Sequence, residues 1–149
     1  MASEFIKRTR RLYEEEKQPQ VLQLASRYFS ILTGGLYSRI VMRMGDQSLL
    51  AERPEGELIE SSRLSRGTAE QLYLAMRLGL IQSMPHAKGL PLLLDDLFVN
   101  FDGERLGHAL RLISELSRTR QVVMMTCHRH VAEQTQAQIP GAQLISLQS

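Results

Sequence analysis

The chain has 149 residues, of which 43% are hydrophobic and 23% are charged, and its formal net charge is +2. That length suits one domain or one lobe of a larger domain, and a chain this rich in apolar residues is not intrinsically disordered. The single cysteine, Cys127, excludes an internal disulfide and metal-binding cysteine pairs, and the small net charge does not indicate nucleic-acid binding. No apolar run is long enough for a membrane span, and the first residues lack an apolar signal core, so we expect a cytoplasmic protein.

A charged helix is predicted first, over residues 4–17. A basic cluster at 7–11 is followed at once by an acidic run at 14–16. This pattern is typical of a solvated helix face on which opposite charges pair one turn apart, as Arg10 with Glu14. The alternative is a phosphate-binding patch.

Pro19 is expected to break or restart this helix, because proline cannot donate the backbone hydrogen bond that a helix interior needs. A second helix is then predicted from Pro19 to Leu32. Its apolar residues recur at helical spacing, and Gly34 and Gly35 follow it as a stop signal.

Residues 36–60 favour strands instead of helices. Strands are predicted at 36–43, 48–52 and 57–60, with turn residues between them. The pattern indicates a small antiparallel meander.

The sequence Leu-Ser-Arg-Gly-Thr at 64–68 opens a helix that is predicted to run to about Ser83. Apolar residues cover nearly all of its faces, so it should be buried on most sides. Ser65 suits a helix N-cap, whereas Gly67 and the free N–H groups of the first turn suit an anion. Both interpretations of the motif are open at this point.

A strand–helix–strand unit is predicted in the second half of the chain. A continuous apolar run at 90–94 predicts a strand that is buried on both faces, as in a parallel sheet, and 121–126 is predicted to be a second buried strand. The crossover between them should be right-handed. Asp102 can cap the intervening helix. A short helix near 130–138 and a last strand at 142–147 complete the prediction.

Polar side chains follow both predicted parallel strands at one edge of the sheet, where α/β proteins bind ligands. Asp95 and Asp96 point to opposite faces, so one can hold Mg²⁺ while the other orients or deprotonates a water molecule. His128 follows the second strand and can donate to a phosphate oxygen. The alternatives are a polar turn for the two carboxylates and a structural or exposed histidine for His128. A metal site on His128 and His130 lacks the further cysteines and histidines that it needs.

The order of these motifs resembles the C-terminal lobe of ABC-class ATPase heads. The segment 64–68 is similar to the signature motif, 92–96 to the Walker B strand and 99–102 to the D-loop, and His128 stands at the switch histidine. The resemblance implies an α/β fold, namely the C-terminal lobe of a P-loop (ABC-type) head with a parallel sheet, flanking helices and an antiparallel meander.

Within that class, the segments 32–37 and 71–78 resemble the YhaN-like coiled-coil DNA-repair ATPases, which are related to the SMC and recombination-nuclease families. The resemblance covers residues 20–147. It implies that residues 1–33 are helices returning from a coiled coil and that 34–149 form the C-terminal ATPase lobe.

The resemblance further implies a composite site in which two heads face each other and trap ATP with Mg²⁺ between them. The signature of one head then caps the γ-phosphate held by the other, and the D-loop communicates across the dimer. The implied site residues are Ser65, Arg66, Gly67, Thr68 and Asp102 for the nucleotide, Asp95 for Mg²⁺, and Asp96 and His128 for catalysis.

Two residues depart from the family pattern. Asp96 stands where the family often has glutamate, so the side chain is shorter by one methylene and turnover is expected to be slow. Arg66 replaces the common second glycine, and its guanidinium either contacts a phosphate or is simply solvated.

No phosphate-binding loop with the pattern Gly-x-x-x-x-Gly-Lys-Ser/Thr occurs in the sequence. We therefore expect half of an ATPase head, inactive alone, that is completed by an N-terminal lobe on the same or a separate chain. An ATP-dependent head-to-head homodimer and DNA are the further expected partners, with no membrane.

Two other functions are open. The lobe can be a non-catalytic scaffold that docks a partner or DNA. It can also be a metal-dependent hydrolase built on Asp95, Asp96, His128 and His130, although a metal-ligand pattern is missing.

Overall fold

The computed structural model describes the backbone of residues 2–147, together with the side chains of 3–4 and 19–147. The chain divides into two compact units, Met1–Ala87 and Lys88–Ser149. Within the described residues, no helix is both long and apolar enough to cross a membrane.

The first unit begins with helix α1, Ala2–Leu32. The break predicted at Pro19 is wrong, because α1 continues through this residue. Proline removes one backbone hydrogen bond, but the following turns bury Ala25, Phe29 and Leu32 completely, and this packing stabilises the helix on the far side. The predicted charge pairs near Arg10 and the basic cluster around it lie outside the described side chains.

The predicted stop after α1 is confirmed. Gly34 and Gly35 have φ values of 63° and 86°, in the left-handed region that glycine tolerates. Their N–H groups donate to the carbonyls of Ile31 and Ser30, which satisfies acceptors at the helix end.

The predicted meander is also confirmed. Strands β1 (Arg39–Met42), β2 (Leu49–Glu52) and β3 (Leu58–Glu60) form an antiparallel sheet in the order β1-β2-β3. Ile40 and Ala51 face each other across β1 and β2 and both are buried.

Helix α2, Arg66–Ser83, packs against α1 at short range. A Cβ placed on Gly79 would lie 2.9 Å from the backbone nitrogen of Ala25 and 2.9 Å from the carbonyl oxygen of Val21. Gln71, which is buried, donates from Nε2 to the carbonyl of Leu32 over 2.8 Å. This bond satisfies a carbonyl at the end of α1 and joins it to the second turn of α2.

The second unit contains strand β4 (Leu92–Asp95), helix α3 (Gly103–Leu116), strand β5 (Val122–Met125) and helix α4 (Arg129–Gln138). The two strands are parallel, with Leu92 opposite Val122 and Asp95 opposite Met125. The α/β class and the strand–helix–strand unit are confirmed. The buried stripe of α3 consists of Leu106, Ala109, Leu110, Leu112, Ile113 and Leu116.

The prediction that β4 and β5 are buried on both faces is wrong. Leu92 and Leu94 are buried, but Leu93 between them is 62% exposed, and Val123 and Met125 are exposed on β5. Alternate strand residues point to opposite faces, and the described chain covers one face only. The second face is therefore an apolar surface in contact with solvent.

The strand predicted at 142–147 is wrong as well, because this segment has no regular secondary structure. A strand needs a neighbour for its backbone hydrogen bonds, and β4 and β5 pair only with each other in the described chain. The apolar side chains of Leu144, Ile145 and Leu147 are exposed.

We expect Gly79→Ala to lower the free energy of unfolding by roughly 1–3 kcal/mol, because the added methyl group forces the α1 and α2 backbones apart. This loss is partly offset by the higher helix propensity of alanine, which favours the variant by about 1 kcal/mol. Urea unfolding followed by circular dichroism measures it.

Gly107→Ala in α3 is the matched control. A Cβ there lies 3.6 Å from the ends of the Gln134 and Gln138 side chains, which is ordinary contact. This variant should be as stable as the wild type or more stable. Equal losses in the two variants would contradict close packing at Gly79.

Candidate functional site

The predicted signature residues form the start of α2, in the first unit. Ser65 is the N-cap, and its Oγ accepts a hydrogen bond from the Thr68 N–H over 3.3 Å and donates to Thr68 Oγ1 over 2.9 Å. The capping role of Ser65 is confirmed. The N–H groups of Arg66 and Gly67 in the first turn have no acceptor within the helix, so they can face an anion.

Arg66 points its side chain into solvent at the start of α2. Its side chain is 88% exposed, and its Nε lies 3.3 Å from the Glu70 carboxylate one turn along α2. An exposed ion pair of this kind contributes little to stability, so the guanidinium can exchange Glu70 for another anion at low cost.

The two predicted carboxylates at the end of β4 differ in their surroundings. Asp95 is the last residue of the strand and is exposed, on the same face as Leu93. Asp96 extends the ladder by one bond, since its N–H donates to the Met125 carbonyl over 2.8 Å. Its φ of 50° lies in the left-handed region, which is uncommon for a residue with a side chain. Backbone strain of this kind concentrates at functional sites.

The carboxylate of Asp96 is directed at the residues that follow β5. Its Oδ1 accepts a hydrogen bond from Thr126 Oγ1 over 3.3 Å, and its Oδ2 lies 3.6 Å from Cys127 Sγ and 3.8 Å from His128 Nε2. The backbone N–H of His128 donates in turn to Thr126 Oγ1 over 3.0 Å. The structure thus brings Asp96 and His128 together.

The sequence pattern indicates no role for Thr126 or Cys127. The signal that could have found them is the parallel pairing of β4 and β5: once Asp95 lies opposite Met125, the next residues, Asp96 and Thr126, must be neighbours. The sequence alone shows the order of the strands but not which residues face each other.

Asp102 caps α3, as predicted. Its Oδ1 accepts a hydrogen bond from the Arg105 N–H over 2.8 Å. The loop before it is held by Phe98 and Phe101, which are buried and meet edge to face with their ring centres 5.3 Å apart. Asp102 itself remains exposed, and its second oxygen, Oδ2, lies 4.0 Å from Arg105 Nε.

Solved structures of SMC proteins share this fold. A structure that concerns the ATP-driven dimerization and DNA-stimulated activation of SMC ATPases matches with a TM-score of 0.68 and 17% identity, over 83% of this chain and 76% of that one. The SMC head domain from Thermotoga maritima matches with a TM-score of 0.59 and 22% identity, over 77% of this chain and 40% of the other. The Pyrococcus furiosus Smc head with an extended coiled coil, bound to the C-terminal domain of ScpA, also has a TM-score of 0.59, with 17% identity over 89% and 35% of the two chains. The protein therefore has the fold of the SMC-type ATPase head, an ABC-class ATPase fold.

The chain is also similar in sequence to a protein of the YhaN type. The uncharacterized protein YhaN of Bacillus subtilis (strain 168) is 35% identical over 134 residues. The match covers 89% of this chain and 14% of YhaN, so this chain corresponds to a small part of that relative. No family profile matches the chain. The resemblance to the C-terminal lobe of an SMC-like, YhaN-like head is confirmed.

We expect Thr126→Val to lower the free energy of unfolding by about 0.5–1.5 kcal/mol, because it removes the hydroxyl between Asp96 Oδ1 and the His128 N–H. Thr126→Ser keeps the hydroxyl and should recover at least half of the loss. Urea unfolding of the three proteins provides the comparison. A valine variant as stable as the wild type would mean that the hydroxyl does not hold these residues together.

Proposed function

We propose that this chain is the C-terminal half of an ABC-type ATPase head in a coiled-coil DNA-repair or chromosome-maintenance protein. It completes an ATP-binding and hydrolysis site together with an N-terminal lobe that carries the phosphate-binding loop. The observation that supports this function best is the group of Asp96, Thr126 and His128, which meet beside the exposed Asp95 at the carboxyl ends of two parallel strands.

The two carboxylates serve different steps in this proposal. Asp95 is exposed and offers the oxygen ligands that Mg²⁺ prefers, so it helps to hold the ion that accompanies ATP. Mg²⁺ neutralises charge on the phosphates when it is bound. Asp96 accepts a hydrogen bond from the attacking water molecule and orients it toward the γ-phosphate.

His128 acts on the other side of that water molecule. Its Nε2 lies 3.8 Å from Asp96 Oδ2, and its side chain is 35% exposed, so the ring can reach a phosphate oxygen while it stays close to the carboxylate. An N–H donor directed at a phosphate oxygen stabilises the charge that accumulates there during transfer. Thr126 positions both residues, because its hydroxyl donates to the Asp96 carboxylate and accepts from the backbone N–H of His128.

The signature residues act on a second nucleotide, held by a facing head. The N–H groups at the start of α2, with Ser65 and Thr68, form a positive end suited to a γ-phosphate. Arg66 can add a contact by leaving Glu70. Asp102 lies in the loop proposed to communicate across the dimer, and ATP is proposed to join the two heads as a homodimer.

The exposed apolar residues support the proposed N-terminal lobe. Leu93, Val123 and Met125 form an uncovered sheet face, and segment 142–147 carries exposed leucine and isoleucine without a strand partner. One lobe that covers this face and pairs with the segment would account for both features, since apolar surface of this kind marks an interaction site. Helix α1 is proposed to continue into a coiled coil, and DNA is the proposed substrate of the whole protein.

ATP hydrolysis should appear when the chain is mixed with its N-terminal lobe. Asp96→Asn should lower the rate by about 100-fold or more, the usual effect of losing a general base, while the chain stays folded. Asp46→Asn is the matched control: this carboxylate lies in a meander turn, where asparagine can still accept from Ser48, and the rate should not change.

Hydrolysis that is restored by the lobe but insensitive to Asp96→Asn would overturn the role of Asp96. Salt-dependent DNA binding by the chain, without any hydrolysis in the mixture, would instead favour the scaffold function.

The exposed sheet face has its own test. Leu93→Glu should weaken binding to the N-terminal lobe by about tenfold or more, because it places a charge in an apolar interface. Leu58→Glu on β3, at a site 50% exposed in the first unit, is the control and should bind as the wild type does. Surface plasmon resonance measures both, and equal affinities for the two variants would exclude this face as the contact.

A further inference from the structure

A second set of potential metal ligands lies beside the proposed Mg²⁺ residue. Asp96 Oδ2, Cys127 Sγ and a ring nitrogen of His128 all lie within 4.8 Å of one another. Among the side chains that the structure describes, this is the group of three histidine, cysteine or acidic residues close enough to share a metal ion. The proposed hydrolysis uses Asp96 and His128 but gives Cys127 no role.

Two of the three distances between the ligand atoms are close to those found around a tetrahedral zinc ion. Zinc bonds of about 2.0–2.3 Å at tetrahedral angles place neighbouring ligand atoms about 3.3–3.5 Å apart. Here Asp96 Oδ2 lies 3.6 Å from Cys127 Sγ and 3.8 Å from His128 Nε2. Cys127 Sγ and a ring nitrogen of His128 lie within 4.8 Å of each other, so side-chain rotations that close this gap bring all three atoms to bonding distance of one ion.

The chemistry of the ligands selects the class of metal. A thiolate and an imidazole favour zinc and similar borderline cations, whereas Mg²⁺ requires oxygen ligands in an octahedral arrangement. Asp95, which offers oxygen alone and is not part of the group, remains suited to Mg²⁺. The ligand types therefore direct Mg²⁺ to Asp95 and zinc to the Asp96 group, although Asp95 and Asp96 are adjacent in the chain.

The group is held in place before any ion arrives. Thr126 Oγ1 contacts Oδ1 of Asp96, which leaves Oδ2 on the side of Cys127 and His128. The same hydroxyl accepts from the His128 N–H and fixes the start of α4. Partners that orient metal ligands in this way raise the affinity of a site. Cys127 is exposed, so the site is open to solvent and a water molecule can fill the fourth position.

We propose that Asp96, Cys127 and His128 form a binding site for Zn²⁺ or a similar thiophilic divalent cation. Bound Zn²⁺ would occupy the Asp96 carboxylate and the His128 imidazole, which the proposed hydrolysis needs. If that proposed function holds, on which this consequence rests, zinc and ATP turnover exclude each other. Zinc then acts as an inhibitor at the catalytic edge of the sheet.

Titration of this chain alone with Co²⁺ and Zn²⁺, under reducing conditions and without nucleotide, tests the site directly. One equivalent of Co²⁺ should bind, with thiolate-to-cobalt charge-transfer absorption, and Zn²⁺ should displace it while excess Mg²⁺ should not. Cys127→Ala, His128→Ala and Asp96→Asn should each lower the affinity for Zn²⁺ by at least about tenfold.

His130→Ala is the matched control. The rings of His128 and His130 are 5.8 Å apart, but His130 is not one of the three ligands, so its variant should bind Zn²⁺ as the wild type does. Circular dichroism spectra of all variants establish that they are folded. The proposal is overturned if Co²⁺ binds without the charge-transfer band, if His130→Ala loses as much affinity as His128→Ala, or if no binding occurs at micromolar metal.

The inhibitory consequence is measured separately, in the mixture with the N-terminal lobe. Micromolar Zn²⁺ should lower the hydrolysis rate of the wild type by a larger factor than that of Cys127→Ala. Metal binding without any hydrolysis in the mixture would leave the zinc site standing and contradict the proposed function. Hydrolysis in the mixture without metal binding would support the proposed function and contradict the zinc site.

Discussion

The parallel pairing of β4 with β5 is the constraint on which the candidate site depends. Because Asp95 lies opposite Met125, the next residue on each strand is carried to the same edge, and the Asp96 N–H bonds to the Met125 carbonyl. The left-handed backbone at Asp96 then turns its carboxylate toward Thr126, Cys127 and His128. A slip of one residue between the strands would separate this carboxylate from His128. The register of the sheet therefore determines whether the two side chains can act together.

The same sheet supports the proposal that the chain is one part of a larger site. On one face Leu92 and Leu94 are buried and the β5 residues are half-buried. The other face exposes Leu93, Val123 and Met125. A parallel sheet is normally covered on both faces, and a two-stranded sheet leaves open edges. The proposed N-terminal lobe would supply the second cover, the missing strand partner and the phosphate-binding loop together. The chain aligns with 76% of one SMC structure and with 14% of YhaN.

Much of the fold could be predicted from the sequence, because local patterns decided it. Turn residues located the meander, the spacing of apolar residues located α2 and α3, and Ser65 and Asp102 are recognisable caps. The errors arose where a partner decides the outcome. Packing after Pro19 carried α1 through a residue that disfavours helix, and segment 142–147 had no neighbour with which to form a strand. The role of Thr126 and the position of Cys127 depend on strand register, which the sequence does not encode locally.

Titration calorimetry of Mg²⁺-ATP against this chain tests the central claim most directly, with and without the N-terminal lobe. A composite site predicts no measurable binding to the chain alone and clear binding once the lobe is present, because the proposal assigns the phosphate-binding loop to that lobe. Tight binding and turnover by the chain alone would contradict the account, since its own residues would then have to cradle the phosphates.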